Sequence, residues 1–200
     1  MALQFGRVPR YDATVQDQVT DAFGVWSAAE IAGVTGCPKR NIELYWPLVF
    51  DALTSRGQAS IRSCAGAIGT VAIETASNFA SVEEAYWLSP AARLAYYNDT
   101  GQHAEYSGGP QFHGRCLIQL THDYNYRAAG DAMGLDLVSN PDATMEPANA
   151  AGIFAWYWAS RDIQSMADAG DWAAVRRAVQ GGTAGLPRLI QVTTDLMNIA

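Results

Sequence analysis

The sequence predicts a mostly α fold interrupted by one long polar loop. Apolar residues recur at helical spacing through most of residues 41–199, and caps with glycine or proline stops separate the segments. Only one short run, Leu117-Ile118-Gln119-Leu120-Thr121, reads as extended, which is too little for a sheet-built fold. Between the helical segments lies a stretch, 98–114, holding Gly101, Gly108, Gly109 and Pro110 among polar residues.

The elements follow in order. Ser27-Ala28-Ala29-Glu30 is a short helix signal within residues 1–40, a segment expected to be a helical extension or connector. Asn41 is placed to cap a helix with Ile42, Tyr45, Trp46, Val49, Phe50 and Leu53 on one face, closed by Gly57 and open to a kink at Pro47. Ser60 begins the next, whose apolar face (Ile61, Cys64, Ala65, Ile68, Val71, Ala72) leads to Glu74 at its end. Ser81-Val82-Glu83-Glu84 reads as a capping box opening a helix through Trp87, and Ser89-Pro90 as a second helix start running to Tyr97. After the loop, helices are expected over 123–133, from Pro147 through Trp158, over 162–169 and 171–179, and from Pro187 to Ile199.

A chain of 200 residues, 49% hydrophobic, has ample material for a core and suits one domain or two small lobes around a shared cleft. The net charge of −7 argues against nucleic acid, which needs a basic face, but is compatible with a neutral sugar polymer. Cys37, Cys64 and Cys116 match neither a disulfide framework nor a zinc pattern and read as small thiols in a reducing compartment. Neither a signal peptide nor a membrane-spanning run is seen, so a cytoplasm is the expected place of synthesis.

Long loops in compact domains usually carry function, so the substrate surface is sought at 98–121. Tyr106, Phe112, His113, Arg115 and Gln119 lie there, flanked by Trp87, Tyr96, Tyr97, Tyr124 and Asn125. Aromatic faces pack on sugar rings, and amides and guanidinium groups bond to hydroxyl and acetamido groups; aromatics at helical spacing are equally the material of a core. Glu74 ends an apolar, small-residue helix, where desolvation favours a protonated carboxyl; the plainer reading is a helix-end side chain reaching water. Glu84, ten positions on, supplies a second carboxyl, though it is also the N3 glutamate of the Ser81 box. Glycosidases need such a pair, about 6.5–9.5 Å apart in inverting enzymes.

These residues resemble glycoside hydrolase family 19, the chitinase-like enzymes, and its phage endolysin branch in particular, over roughly residues 41 to 190. The segment Glu74-Thr75-Ala76-Ser77-Asn78-Phe79, with Glu84 five positions beyond Phe79, is similar to the family's His-Glu-Ser/Thr-Gly-Gly-Phe element and its second glutamate. Counting from Glu74 instead lands on Glu83, which stays open as the second carboxylate. The run from Phe112 to Thr121, followed by Tyr124-Asn125-Tyr126, resembles Tyr-x-Gly-Arg-Gly-x-Ile-Gln-Leu-Ser/Thr with Asn-Tyr beyond it. Asp136 to Pro141, Ala155 to Trp158, and Arg176 to Gly182 with Arg188 look like the later helices and the Asn-Gly-Gly turn. Ile73, Cys116 and Gln180 stand where the family has histidine, glycine and asparagine.

The resemblance implies a lysozyme-like fold, two helical lobes with a central cleft, as the catalytic domain over 41–200. It implies inverting hydrolysis with Glu74 as general acid and Glu84 as general base, Thr121 helping to hold the water, and Gln119 and Asn125 lining the sugar site beside Tyr106, Arg115 and Tyr124. Arg188 is expected near the carboxylates. No cofactor is required and a monomer is expected. The endolysin branch implies peptidoglycan glycan strands as partner, cut between N-acetylmuramic acid and N-acetylglucosamine. The protein would then reside in the host cytoplasm until another protein releases it. The rivals are chitin as substrate, a lytic transglycosylase, a zinc amidase built on His103, His113, His122 and Cys116, and a wall-binding module without catalysis.

Overall fold

The computed structural model describes residues 24–97 and 106–200; the first part of the long loop, with His103, lies outside them. Helix α1 (Ala28–Thr35) begins on a complete capping box: Ser27 accepts from the Glu30 amide, and the Glu30 carboxylate accepts from the Ser27 amide at 2.7 Å. Helix α2 (Lys39–Thr54) starts three residues earlier than the sequence predicts. Pro38, extended at ψ 120°, stands at its N-cap, while Asn41 lies inside the first turn and donates to the Asn78 carbonyl at 2.7 Å. The helix passes through Pro47 without a break and across residue 40, the expected domain boundary.

Helix α3 (Ile61–Glu74) opens where Ser60 accepts from the Ser63 amide and ends at Glu74, as the pattern predicts. Every residue from Ser63 to Ala72 is buried, the burial of a helix surrounded by protein. Its small residues make that possible. A Cβ on Gly66 would stand 3.0 Å from the Trp172 ring, and one on Gly69 would stand 2.7 Å from Leu189 Cδ1. Helix α3 therefore packs directly on α7 (Ile163–Asp168) and α9 (Leu186–Asn198). Helix α2 packs on α1 and on α6 (Pro147–Ser160), the most apolar helix, whose Trp158 donates to Ser63 Oγ at 2.9 Å.

Two expectations near the site are corrected. Ser81 opens no helix: residues 84–87 form turns, the Ser81 hydroxyl is buried without a partner among the described residues, and helix α4 (Pro90–Tyr97) begins only after Ser89. The Glu84 carboxylate has been drawn off to the loop beyond residue 105, so the box cannot close. Residues 117–121 are not a strand either. Cys116 (φ 66°) and Gln119 (φ 51°) turn the chain back on itself, and one antiparallel bridge, Arg115 to Leu120, closes the loop. Helix α5 (Asp123–Met133) then runs to Gly134 (φ 69°), and helix α8 (Trp172–Gln180) is capped by Asp171, which accepts from the Ala174 amide at 2.8 Å.

Among the described residues no helix is long and apolar enough to cross a membrane. Trp26, Trp46, Phe79, Tyr126, Phe154 and Trp158 are the largest fully buried side chains, and they belong to one continuous core. Residues 24–40 share in it: Trp26 is 1% exposed and donates its indole N–H to the Leu196 carbonyl at 2.8 Å.

Candidate active site

Two glutamates are partly buried, one at the end of a helix and one in a turn. Glu74 is the last residue of α3, and its Oε1 accepts from Arg176 Nη1 of α8 at 2.7 Å. The two side chains are 13% and 3% exposed, so this is a buried pair. Arg176 is itself held by the Ala184 carbonyl, which accepts from Nε at 2.8 Å. The turn before α9 closes over the pair: Gly185 (φ 78°) lies so near that a Cβ there would stand 3.1 Å from Ile73 Cγ2.

Glu84 sits in the turn before α4. Its Oε2 accepts from the Gly114 amide at 3.0 Å and from the Tyr106 hydroxyl, and its own amide donates to the Gly114 carbonyl at 2.7 Å. Burial, then the Glu84 carboxylate, push the Tyr106 hydroxyl far above the usual phenol range, so Tyr106 stays a donor at every working pH. Gly114 lets the Gln119 amide lie close to the backbone here. A Cβ on it would lie 2.6 Å from Gln119 Oε1 and 3.3 Å from Glu84 Oε2. Gln119 in turn donates to the Val82 carbonyl at 3.2 Å.

A run of aromatic rings leads away from Glu84. Tyr106 lies 6.0 Å from His122, and His122 stacks on Tyr124 with centroids 5.2 Å apart and planes 6° apart. Tyr124 is 56% exposed, a free ring face of the kind that packs on a sugar. Burial raises the Tyr157 hydroxyl; Arg161 opposes that shift, and the charges of Glu74 and Tyr124 add to it. Asn125 donates to the Thr121 carbonyl at 2.9 Å, and the Thr121 hydroxyl makes no hydrogen bond among the described residues. Backbone strain is concentrated in the same region: Ala76, Ser77, Phe79, Ala85, Cys116, Gln119 and His122 all have positive φ without being glycine.

Glu84, Tyr106, Gln119 and Tyr124 are thus linked through Gly114 and His122, with Thr121 and Asn125 on the same loop, while Glu74 stands with Arg176. Two other candidates are engaged elsewhere. Arg188 donates to the Thr35 carbonyl at 2.7 Å and to that of Val34, at the C-terminal end of α1, and the guanidinium paired with Glu74 is that of Arg176. Arg115 is buried and turned inward, donating to the Gln111 carbonyl, to Tyr126 and to Asp142, so it braces the loop from behind. Glu83 spends both carboxylate oxygens on Arg93, His113 and Arg115, whereas Glu84 engages only Oε2 among the described residues. The described members of the zinc set are engaged elsewhere: His113 with the Pro110 carbonyl and Glu83, His122 Nδ1 with the Ser107 amide, and Cys116 in the core.

Sequence reasoning missed Arg176 as the partner of Glu74. Its signal was present: with Trp172, Val175 and Val179 it occupies the inward stripe of α8, where an arginine must have a buried acceptor. It also missed the role of Gly114, whose amide and carbonyl both engage Glu84 from 30 positions away.

A helical body carrying two such carboxyls belongs to the class of lysozyme-like glycan hydrolases. Residues 51–177 match the glycoside hydrolase family 19 description, chitinase class I, and the chain belongs to that family. It is 28% identical over 175 residues to an endochitinase of Arabidopsis thaliana, covering 84% of this chain and 57% of the relative. Over a shorter stretch of 50 residues it is 54% identical to Chitinase 11 of Oryza sativa subsp. japonica, covering 24% of this chain and 20% of that protein. The chain therefore spans little more than half the length of the Arabidopsis relative and a fifth of the rice one. Its fold is similar to that of chitinase C from Streptomyces griseus HUT6037, with TM-score 0.63 and 23% identity over 88% of this chain and 76% of that one.

Proposed function

We propose that this protein hydrolyses β-1,4 glycosidic bonds in a polymer containing N-acetylglucosamine, with Glu74 as general acid and Glu84 as general base. The observation that carries this reading is the division of labour within each carboxyl. Glu74 uses Oε1 to accept from Arg176, which leaves Oε2 as the oxygen through which a proton is taken up and delivered to the leaving oxygen. The carboxylate formed by that transfer already faces a guanidinium. Glu84 fixes Oε2 on Gly114 and Tyr106, so Oε1 is left to take a proton from water. The unengaged Thr121 hydroxyl is the second contact for that water. Attack by water opposite the leaving oxygen inverts the anomeric centre.

Chitin is the favoured polymer, because the relatives named above are chitinases of plants and Streptomyces. The expectation of a phage endolysin cutting peptidoglycan rests on the run Glu84-Ala85-Tyr86-Trp87-Leu88-Ser89 and is the alternative substrate reading. One experiment separates them: digestion of chitin oligosaccharides and of purified peptidoglycan, with products identified by mass and by the anomer first released. Oligosaccharides of the α anomer from chitin are expected; anhydro ends from peptidoglycan would indicate a transglycosylase instead. Glu74→Gln is expected to lower kcat by about 10²–10⁴-fold while glycan binding persists. Unchanged turnover in that variant ends the assignment.

A further inference from the structure

Glu83 is adjacent to the proposed base, yet its carboxylate faces a different set of groups. Its Oε2 takes Arg93 of α4, and its Oε1 lies 2.8 Å from His113 Nε2 and 3.8 Å from Arg115 Nη2. These partners come from two segments, and each segment also holds Glu84. From α4, Tyr97 donates its hydroxyl to the Glu84 carbonyl. From the loop, Gly114, between His113 and Arg115, accepts from the Glu84 amide and donates to its carboxylate. The two segments meet where the Tyr97 ring stacks on the His113 ring, with centroids 3.8 Å apart and planes 12° apart. Arg115 extends the assembly to Tyr126 and Asp142, at 3.1 Å each.

We propose that Glu83 is a positioning residue for Glu84: by gathering Arg93, His113 and Arg115 on one carboxylate, it fastens α4 to the 113–115 loop and so fixes both the backbone and the carboxylate of the base. This rests on the reading of Glu84 as base. Glu83 has no oxygen left for substrate, so it acts through its neighbour. Replacing its charge leaves Arg93 and Arg115 without their shared acceptor and lets the two segments separate. The carboxylate of Glu84 then loses its aim, while the sugar-binding rings are untouched. The cost falls on kcat and leaves KM nearly unchanged.

The test compares Glu83→Gln, Arg93→Gln and Glu84→Ala on whichever glycan the wild type cleaves, with folded fraction measured by circular dichroism. For Glu83→Gln a fall in kcat of about 10- to 100-fold is expected, the scale of a misplaced catalytic group, with KM within about twofold. Arg93→Gln, which removes one arm of the clamp, should show a smaller fall in the same parameter, and the double variant should lose less than the product of the two. Azide separates aiming from base catalysis. It attacks the anomeric carbon as the glycosidic bond breaks and Glu74 protonates the leaving oxygen, and it needs no base. It should therefore restore turnover to Glu84→Ala, giving a glycosyl azide of inverted configuration, and restore far less to Glu83→Gln. Wild-type kcat in Glu83→Gln overturns the positioning role, and so does azide rescue equal to that of Glu84→Ala, which would make Glu83 the base itself. A wild type inactive on both glycans fails earlier, at the reading of the site, and takes the positioning role with it.

Discussion

Arg176 occupies a place in α8 that periodicity assigns to an apolar side chain, and it is tolerated there because Glu74 and the Ala184 carbonyl meet it. A buried ion pair of this kind adds little net stability, since desolvation offsets the attraction, but removing one member strands the other. Arg176→Met is therefore expected to cost about 3–5 kcal/mol in urea unfolding. The double variant Arg176→Met with Glu74→Gln should recover much of the loss, because no charge is then left buried. Strict additivity of the two single changes would show that the pair is not coupled. Cys116 makes a related point about single positions. It stands where the family has glycine and keeps the left-handed backbone (φ 66°) that a glycine would adopt without strain, and burial pushes its thiol up to about 11. The departure in sequence leaves the turn in place.

At the scale of elements, helix α3 decides whether the site exists, because Glu74 is its last residue and its small faces set how near α9 and Trp172 can come. Gly69→Val should be destabilising by about 1–3 kcal/mol through overpacking against Leu189 and Val192, read as a fall in Tm. A neutral result would mean that the α3 to α9 spacing is not set there. Much at this scale was legible in the sequence. Ser60 and Glu74 bound α3 as read, Gly134 stops α5, and Pro147 opens α6, since each depends on local capping chemistry or backbone geometry. What failed was decided at long range. The Ser81 box is locally well formed in sequence, but Gly114 and Tyr106, at least 22 positions away, claim the Glu84 carboxylate. The 117–121 run has strand composition, yet two left-handed residues fold it into a loop. Glu84 was therefore found by its place in a family pattern, whereas its geometry belongs to contacts that no local window contains.

For the molecule as a whole, the question is whether residues before 41 form a separate piece. Helix α1 is fastened to α9 at both of its ends. Before its start, Trp26 donates to the Leu196 carbonyl; at its close, Arg188 donates to the Thr35 and Val34 carbonyls, a cation on the exposed acceptors of a helix C-terminus. Ile31 and Cys37 are buried in the same core as α2 and α3. Helix α9 also lies on α3, and the Gly185 turn at its start touches Ile73 and approaches Arg176. Loosening the amino-terminal segment thus loosens the helix that closes over the Glu74 pair. Trp26→Ala, which leaves a large cavity and an unmet carbonyl, is expected to cost about 3–5 kcal/mol. For a chain of this size that is a fall in Tm of about 6–20 °C. A connector would behave differently: the catalytic body would keep its melting temperature, and only a small early transition would move. One cooperative transition shifted downward, with activity lost over the same range, is the expected calorimetric result. An unshifted main transition would support the boundary near residue 40.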